Sequence, residues 1–464
     1  MKKHMQILIS LLVSFFLLQG FLLAQTFPAS KIIIDSSFDI QFGLTHQNPL
    51  PLAWIDVVRE NTAFNKTSLA YKNPSGIGAE VSVWLEYENR PYKEKMEDPN
   101  LFFHTNIPIG HEGNPIIFEN NFIQKGILFF PFFEGQIILG RQHLSFGPSR
   151  LSNLQLTKHI PYYDGFYFEL PLGNWKITQL IATLENRKTK EDLPTVNLFG
   201  IAQEFTDTLI LLSMRRFAWS NSFLELAIGG QNLSTRPNNT FQIGDILPIF
   251  SIHNGDVGRN NCALFLDAHY TLNEAFQTYA ILGFDDINAN VIGVNDGGVP
   301  TIWASVLGVK GHLPLNTRMS LDYDLEGSYT HYLWGSFDDD AYLSRAIYRQ
   351  NRDGGAIALP LTSPYGPARL ATEWKLKLNL SQNMKAGFNG LLLFGDTSIS
   401  IYDLDYEGPV KTIHYDFILA RLNLNYEIAF MQGLSAYTNI GMDIENHWIK
   451  PRANLGLLWQ IKNY

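Results

Sequence analysis

Along residues 321–330 every odd position is Leu, Tyr or Gly and every even position is Asp, Glu, Ser or Thr. A strand turns successive side chains to opposite faces, so one face here is greasy and the other is acidic and wet. The pattern recurs along the chain. Val81, Val83, Leu85 and Tyr87 alternate with Ser82, Trp84, Glu86 and Glu88. Leu264, Leu266, Ala268, Tyr270 and Leu272 alternate with Phe265, Asp267, His269 and Thr271. Trp374, Leu376, Leu378 and Leu380 alternate with Lys375, Lys377 and Asn379, and Leu422, Leu424 and Tyr426 with Arg421, Asn423 and Asn425. Each stretch is near the ~10 residues with which a tilted strand crosses a bilayer. The spacing predicts about 16–18 such strands between Ser36 and Lys462, enough for an aqueous lumen.

The links between strands carry a second periodicity. Short ones at 171–174, 219–221, 273–274, 313–318, 381–383 and 431–433 alternate with long ones at 187–206, 233–261, 285–301, 332–369 and 394–412. Short periplasmic turns and long outer loops produce this alternation, and soluble sandwiches do not. The final strand, 452–462, would end on the short-turn side, and the terminal Tyr464 is the aromatic residue that barrel-insertion machinery commonly requires. The expected fold is all-β: a transmembrane antiparallel β-barrel with one domain over residues 25–464.

The first residues set the expected compartment. Lys2 and Lys3 precede an apolar run over residues 7–23, and Ala24-Gln25 offers a cleavage point, so residues 1–24 have the form of a secretory signal peptide. Beyond Leu23 no apolar stretch approaches the roughly 20 residues of a membrane helix. Charged residues make up 17 %, against about 25 % in an ordinary soluble protein. Aromatic residues make up 13 %, which suits interfacial girdles. The lone Cys262 forms no internal disulfide, and a net charge of −9 argues against a nucleic-acid partner.

Candidate chemistry gathers in two tracts. In residues 140–150, Arg141 and Arg150 offer planar forks suited to carboxylates, and His143 and Ser145 are neutral donors. The alternative is a turn at Gly147-Pro148, with the arginines paired to lumen acids. Tyr162, Tyr163 and Asp164, like Tyr332 and Trp334 with His331 and Asp338–Asp340, combine flat apolar rings with hydrogen-bonding groups, as a sugar ring requires. Interfacial aromatics beside solvated acids are the blander and favoured explanation. Asp285-Asp286 and Asp338–Asp340 lack the spacing of a calcium loop, so no metal or other cofactor is expected. Asp322, Asp324 and Glu326 on one strand oppose Lys375 and Lys377 on the next, with Arg421 beyond; they either set a transverse field or pair and stiffen the wall. The chain lacks Gly-x-Ser-x-Gly, His-Glu-x-x-His and any P-loop, so no enzyme is expected.

Gly140-Arg141-Gln142-His143-Leu144-Ser145-Phe146-Gly147-Pro148, followed by Tyr162-Tyr163-Asp164-Gly165-Phe166-Tyr167-Phe168-Glu169, resembles the Wzi-type capsule assembly family. Met214-Arg215-Arg216-Phe217, residues 277–287 and residues 361–367 resemble it in the same order, over roughly residues 126–393. The resemblance implies an outer-membrane barrel of about 18 strands that holds or assembles surface polysaccharide and does not hydrolyse it. Its partners would be that polysaccharide, outer-membrane lipid and the insertion machinery. Barrel architecture alone would equally permit a general diffusion porin for small solutes.

Overall fold

The computed structural model describes residues 31–44, 63–86, 123–156, 162–184, 208–237, 243–247, 260–287, 300–335, 348–352, 355–359, 361–396, 398–399, 412–446 and 448–462. The leader expected over residues 1–24 and the acids Asp338–Asp340 lie outside these residues. The first half of the wall is β1 (Lys31–Leu44), β2 (Ala63–Lys72), β3 (Gly78–Glu86), β4 (Ile123–Phe132), β5 (Gly135–Gln142), β6 (Tyr163–Leu172), β7 (Trp175–Leu184), β8 (Thr208–Ser220) and β9 (Leu224–Pro237). The second half is β10 (Asn260–Asn273), β11 (Phe276–Asp286), β12 (Ile302–Pro314), β13 (Ser320–Thr330), β16 (Arg369–Ser381), β17 (Met384–Gly395), β18 (Phe417–Met431), β19 (Leu434–Glu445) and β20 (Trp448–Lys462). A separate hairpin, β14 (Tyr348–Arg352) and β15 (Gly355–Leu359), and a four-residue helix, α1 (Ile243–Ile246), lie in connections.

Each wall strand pairs antiparallel with its chain neighbours, and β1 pairs with β20, so the 18-stranded sheet closes. The short links fall where the sequence puts them, for example Gly173-Asn174 between β6 and β7 and Gln432-Gly433 between β18 and β19. The first strand begins at Lys31 and the last at Trp448, both earlier than the alternation alone suggests.

Period-two side chains sort by face. On β10, Leu264, Leu266, Tyr270 and Leu272 are exposed outward while Ala263, Phe265 and Asp267 are buried inward. The exposed set continues around the wall through Leu128, Leu139, Leu307, Leu325, Leu424 and Leu455, an apolar belt. At the short-turn end Trp175 and Phe223 stand exposed, as interfacial aromatics do.

The interior departs from a simple hydrated lumen. Towards the long-connection end, inward residues of β7, β8, β10–β12 and β16–β18 (Leu180, Leu212, Phe265, Ile281, Ile302, Ala371, Leu391 and Leu419 among them) are buried and apolar. They pack against Phe146, Leu154, Leu156, Trp334, Leu361 and Tyr365, which come from connections folded into the barrel. An 18-stranded ring is too wide for its own side chains to fill. The connections supply the missing volume, and the hydrophobic core forms between wall and plug.

Candidate functional site

The connection from β5 to β6 forms the main body of the plug. Gly147 has φ of 77°, a left-handed conformation that admits glycine, and its missing Cβ leaves room for the Gln155 side chain. The chain then turns at Pro148 and crosses to β13, eight strands around the 18-stranded ring and so almost opposite. There the Glu326 carboxylate accepts hydrogen bonds from Ser149 Oγ (2.9 Å), Arg150 N (3.0 Å), Leu151 N (3.3 Å), Ser152 Oγ (2.7 Å) and Tyr279 OH (2.6 Å). Ser152 N donates to it as well. A buried carboxylate with this many donors is fully compensated for leaving water. Further along, Gln155 Nε2 donates to Asp267 (2.6 Å), and Gln231 Nε2 on β9 donates to the Gln155 carbonyl (2.8 Å). Arg216 completes this knot with bonds to Asp267 and Glu225, each 2.5 Å at the nearest.

A second inward layer comes from the residues flanking β14 and β15. Trp334 is 1 % exposed, meets Phe265 edge-on at 6.1 Å, and donates Nε1–H to Thr362 Oγ1 at 2.9 Å. Gly335 N donates to Asp285 Oδ2 (2.6 Å), and Thr330 Oγ1 donates to the Gly366 carbonyl (2.9 Å). Burial holds the His331 imidazole below its usual range, so it is neutral in this layer. Asp396, just past β17, feels burial most strongly, which raises its pKa. Hydrogen bonds from Ser398 and the His414 amide outweigh that and hold the carboxyl below its usual range.

The residues picked out by sequence fall into three places. Arg141 forks onto Asp164 at 2.7 and 2.8 Å and stacks over the Tyr162 ring at 3.6 Å. By register Asp164 shares the face of Phe166, Phe168 and Gln179, so this partner is not a lumen acid. Tyr163 is buried beside it in the core. His143, exposed, stacks on Trp84 with ring centroids 4.9 Å apart. Arg150 anchors through its backbone to Glu326 and carries an exposed side chain in electrostatic reach of Asp324 and Lys310. Tyr332 and Trp334 lie apart from these, buried in the second layer rather than open on a rim. Asp322 and Asp324 face Lys377 and Lys375 in cross-strand register, and Arg421 forks onto Asp443 at 2.9 and 3.0 Å. Among the described residues no cluster of His, Cys, Asp or Glu has the makings of a metal site.

The sequence reading missed a cavity of ~230 Å3 on the opposite wall, lined by Asp35, Ser37, Lys66, Ser68, Ser82, Trp84 and Gln460. Lys66 Nζ sits 4.1 Å from the Trp84 ring centre, and Trp84 Nε1 donates to Ser82 Oγ at 3.0 Å. An indole wall with hydroxyl, carboxylate and ammonium groups around it has the chemistry to hold a polyhydroxylated or acidic small ring. The available signal was the tight 73–77 link, which sets Lys66 opposite Trp84 and Ser68 opposite Ser82.

No protein-family model and no curated protein matches the chain. Among solved structures it is similar to Wzi of Escherichia coli, an outer-membrane protein involved in group 1 capsule assembly and a carbohydrate-binding β-barrel. That match has 14 % identity, 93 % of this chain and 84 % of that one covered, and a TM-score of 0.54. It also matches OccK3 of Pseudomonas aeruginosa (8 % identity, 94 % and 96 % covered, TM-score 0.46) and OprD from the same organism (10 %, 94 % and 94 %, 0.45). At such identities the likeness is one of fold. The chain has the fold of an outer-membrane β-barrel, and the apolar belt around its wall is the surface of a protein that resides in a bilayer.

Proposed function

We propose that this chain is a non-catalytic outer-membrane barrel that binds, retains or helps assemble surface polysaccharide. The observation that supports it most is the β5–β6 connection, which spans the lumen and is held on the far wall by Glu326. A plug of this kind suits a protein that presents a surface to a polymer better than one that passes small solutes freely. The exposed His143, the Arg141–Asp164 pair, Arg150 and the Trp84 cavity bring rings and charged groups together. Wzi, whose barrel has the same strand architecture, is a carbohydrate-binding protein. The reading includes a leader over residues 1–24, a barrel domain over 25–464 and delivery by barrel-insertion machinery.

The test pairs two measurements on the purified barrel. In planar bilayers the reading expects little steady current, and on immobilised acidic surface glycan it expects retention. Arg141→Ala with Arg150→Ala should weaken retention while the barrel still shifts on a gel when heated. Unchanged retention would remove this tract from the site.

A second reading, a diffusion porin for small solutes, draws on the facing rows Asp322/Asp324 and Lys377/Lys375, which would set a transverse field across a conducting path. A large steady current with no glycan retention would favour it.

A further inference from the structure

Arg215 and Arg216 are adjacent on β8, so they point to opposite faces of the wall. Arg216 faces inward, because it bonds Asp267, which the plug residue Gln155 also bonds. Arg215 therefore faces outward, on the side where Leu264, Leu266, Leu307, Leu325 and Leu455 form the apolar belt. It has company there. Gln179 on β7, Asn232, Ser234 and Arg236 on β9, and Cys262 on β10 share the outward face by register. Arg215, Gln179, Asn232, Ser234 and Arg236 are all buried.

Residues 243–247, between β9 and β10, reach three of them. Arg236 forks onto Asp245 at 2.6 and 3.1 Å. Arg215 donates to the Asp245 carbonyl at 2.8 Å, and Gln179 donates to the Ile246 carbonyl at 2.8 Å. Residues 243–247 thus lie against the outside of the wall. The polar groups of the segment face the barrel, while Ile246 and Leu247 turn away from it, 44 % and 45 % exposed.

The depth of this contact decides its meaning. Arg215 stands five residues from the short-turn end of β8, and Gln179 four residues from that end of β7. At roughly 3.3 Å per residue and a tilt of about 40°, that is ~10–13 Å along the barrel axis, half the ~25 Å height of a lipid-facing belt. The third anchor, Arg236, stands twelve residues from that end of β9, ~30 Å up, so residues 243–247 sit between mid-belt and its outer edge. Trp175, exposed at the short-turn end, marks where that belt begins. We infer that residues 243–247 are embedded among acyl chains, as a strap that seals a polar stripe on the outer wall and replaces it with Ile246 and Leu247. Residues 243–247 are then a membrane element and not part of an aqueous outer loop.

The test uses the full chain in liposomes, in a Cys262→Ser background, with a fluorophore on Ile246→Cys. Leu264→Cys serves as the belt control and Asn316→Cys, in a short turn, as the aqueous one. The label at 246 should lose most of its emission to acyl-chain bromines, as at 264, and little to iodide. Iodide quenching on a par with 316 would overturn the proposal. So would protection from both quenchers together with an oxidant-induced disulfide between two copies of the unlabelled Ile246→Cys variant, which would make the stripe a protein interface. A second readout uses the native Cys262, which is half-buried beside Asn232 at the edge of the covered stripe. A membrane-permeant maleimide should label it slowly in the wild type and about tenfold faster in Asp245→Ala, because the strap loses its charged anchor. An unchanged rate would show that Asp245 does not hold the strap down.

Discussion

Strands β8 and β13 belong to one wall, yet they read as different kinds of strand. In β13 the lower residues alternate cleanly: Leu321, Tyr323 and Leu325 outward, Asp322 and Asp324 inward. In β8 nearly every residue from Ile210 to Arg216 is buried, on both faces. The difference lies in what touches each strand. Lipid and water flank the lower part of β13, while plug residues cover the inner face of β8 and the strap covers part of its outer face. Alternation in a barrel strand is therefore a record of two solvents, and it fades where protein replaces them.

The contrast can be broken most forcefully at Arg216. Arg216→Ala leaves Asp267 buried without its charge partner and should cost about 3–5 kcal/mol, read as a lower urea midpoint for the heat-modifiable form. Next comes the upper end of β13. Glu326→Ala strips six donors of their acceptor and should loosen the plug by about 3 kcal/mol, raising steady conductance in planar bilayers. Unchanged conductance would mean that the plug holds without this anchor. In the second layer, Trp334→Ala removes a side chain that fills the lumen core, with an expected loss of about 3 kcal/mol and a lower melting temperature.

Acidity should act more gently. The depressed pKa of His331 contributes stability that is fully present above its usual value of 6.5 and is lost as pH falls below it. Asp396, also depressed, acts in the same direction around and below its usual 3.8. Conductance bursts should therefore grow more frequent from pH 7 to pH 5, and His331→Asn should flatten that rise. The smallest effect belongs to the open lower wall: Lys377→Ala opposite Asp322 should stay within about 0.5 kcal/mol. A larger loss there would mean that the facing rows are a structural pair and not a solvated lining.

Strands and links were legible because a membrane imposes both rules at once, period two along a strand and short–long alternation between strands. An ion pair for Arg141 was legible as one of two options, but its partner Asp164 was not, because the two residues meet only when β5 and β6 come into register. Glu326 appears in the sequence only as one acid in a row of three; the donors that make it special come from residues 149–152, far away in the chain. Tyr332 and Trp334 look like rim aromatics because acidic residues follow them, and a sequence carries no mark that their segment folds inward. The strap did leave a trace. Two consecutive arginines within a strand require one of them to face the oily side, and that demands a cover.

The pairing of Asp35 with Lys462 joins the first described strand to the last across nearly the whole polypeptide. Until the final residues arrive, both margins of the growing sheet keep open rows of amide and carbonyl groups, an invitation to aggregation. No truncated product can hide them. The ring must be completed after synthesis, and a chain shortened by its last strand should fail to form the heat-modifiable barrel even though every turn and knot described above lies upstream of the cut.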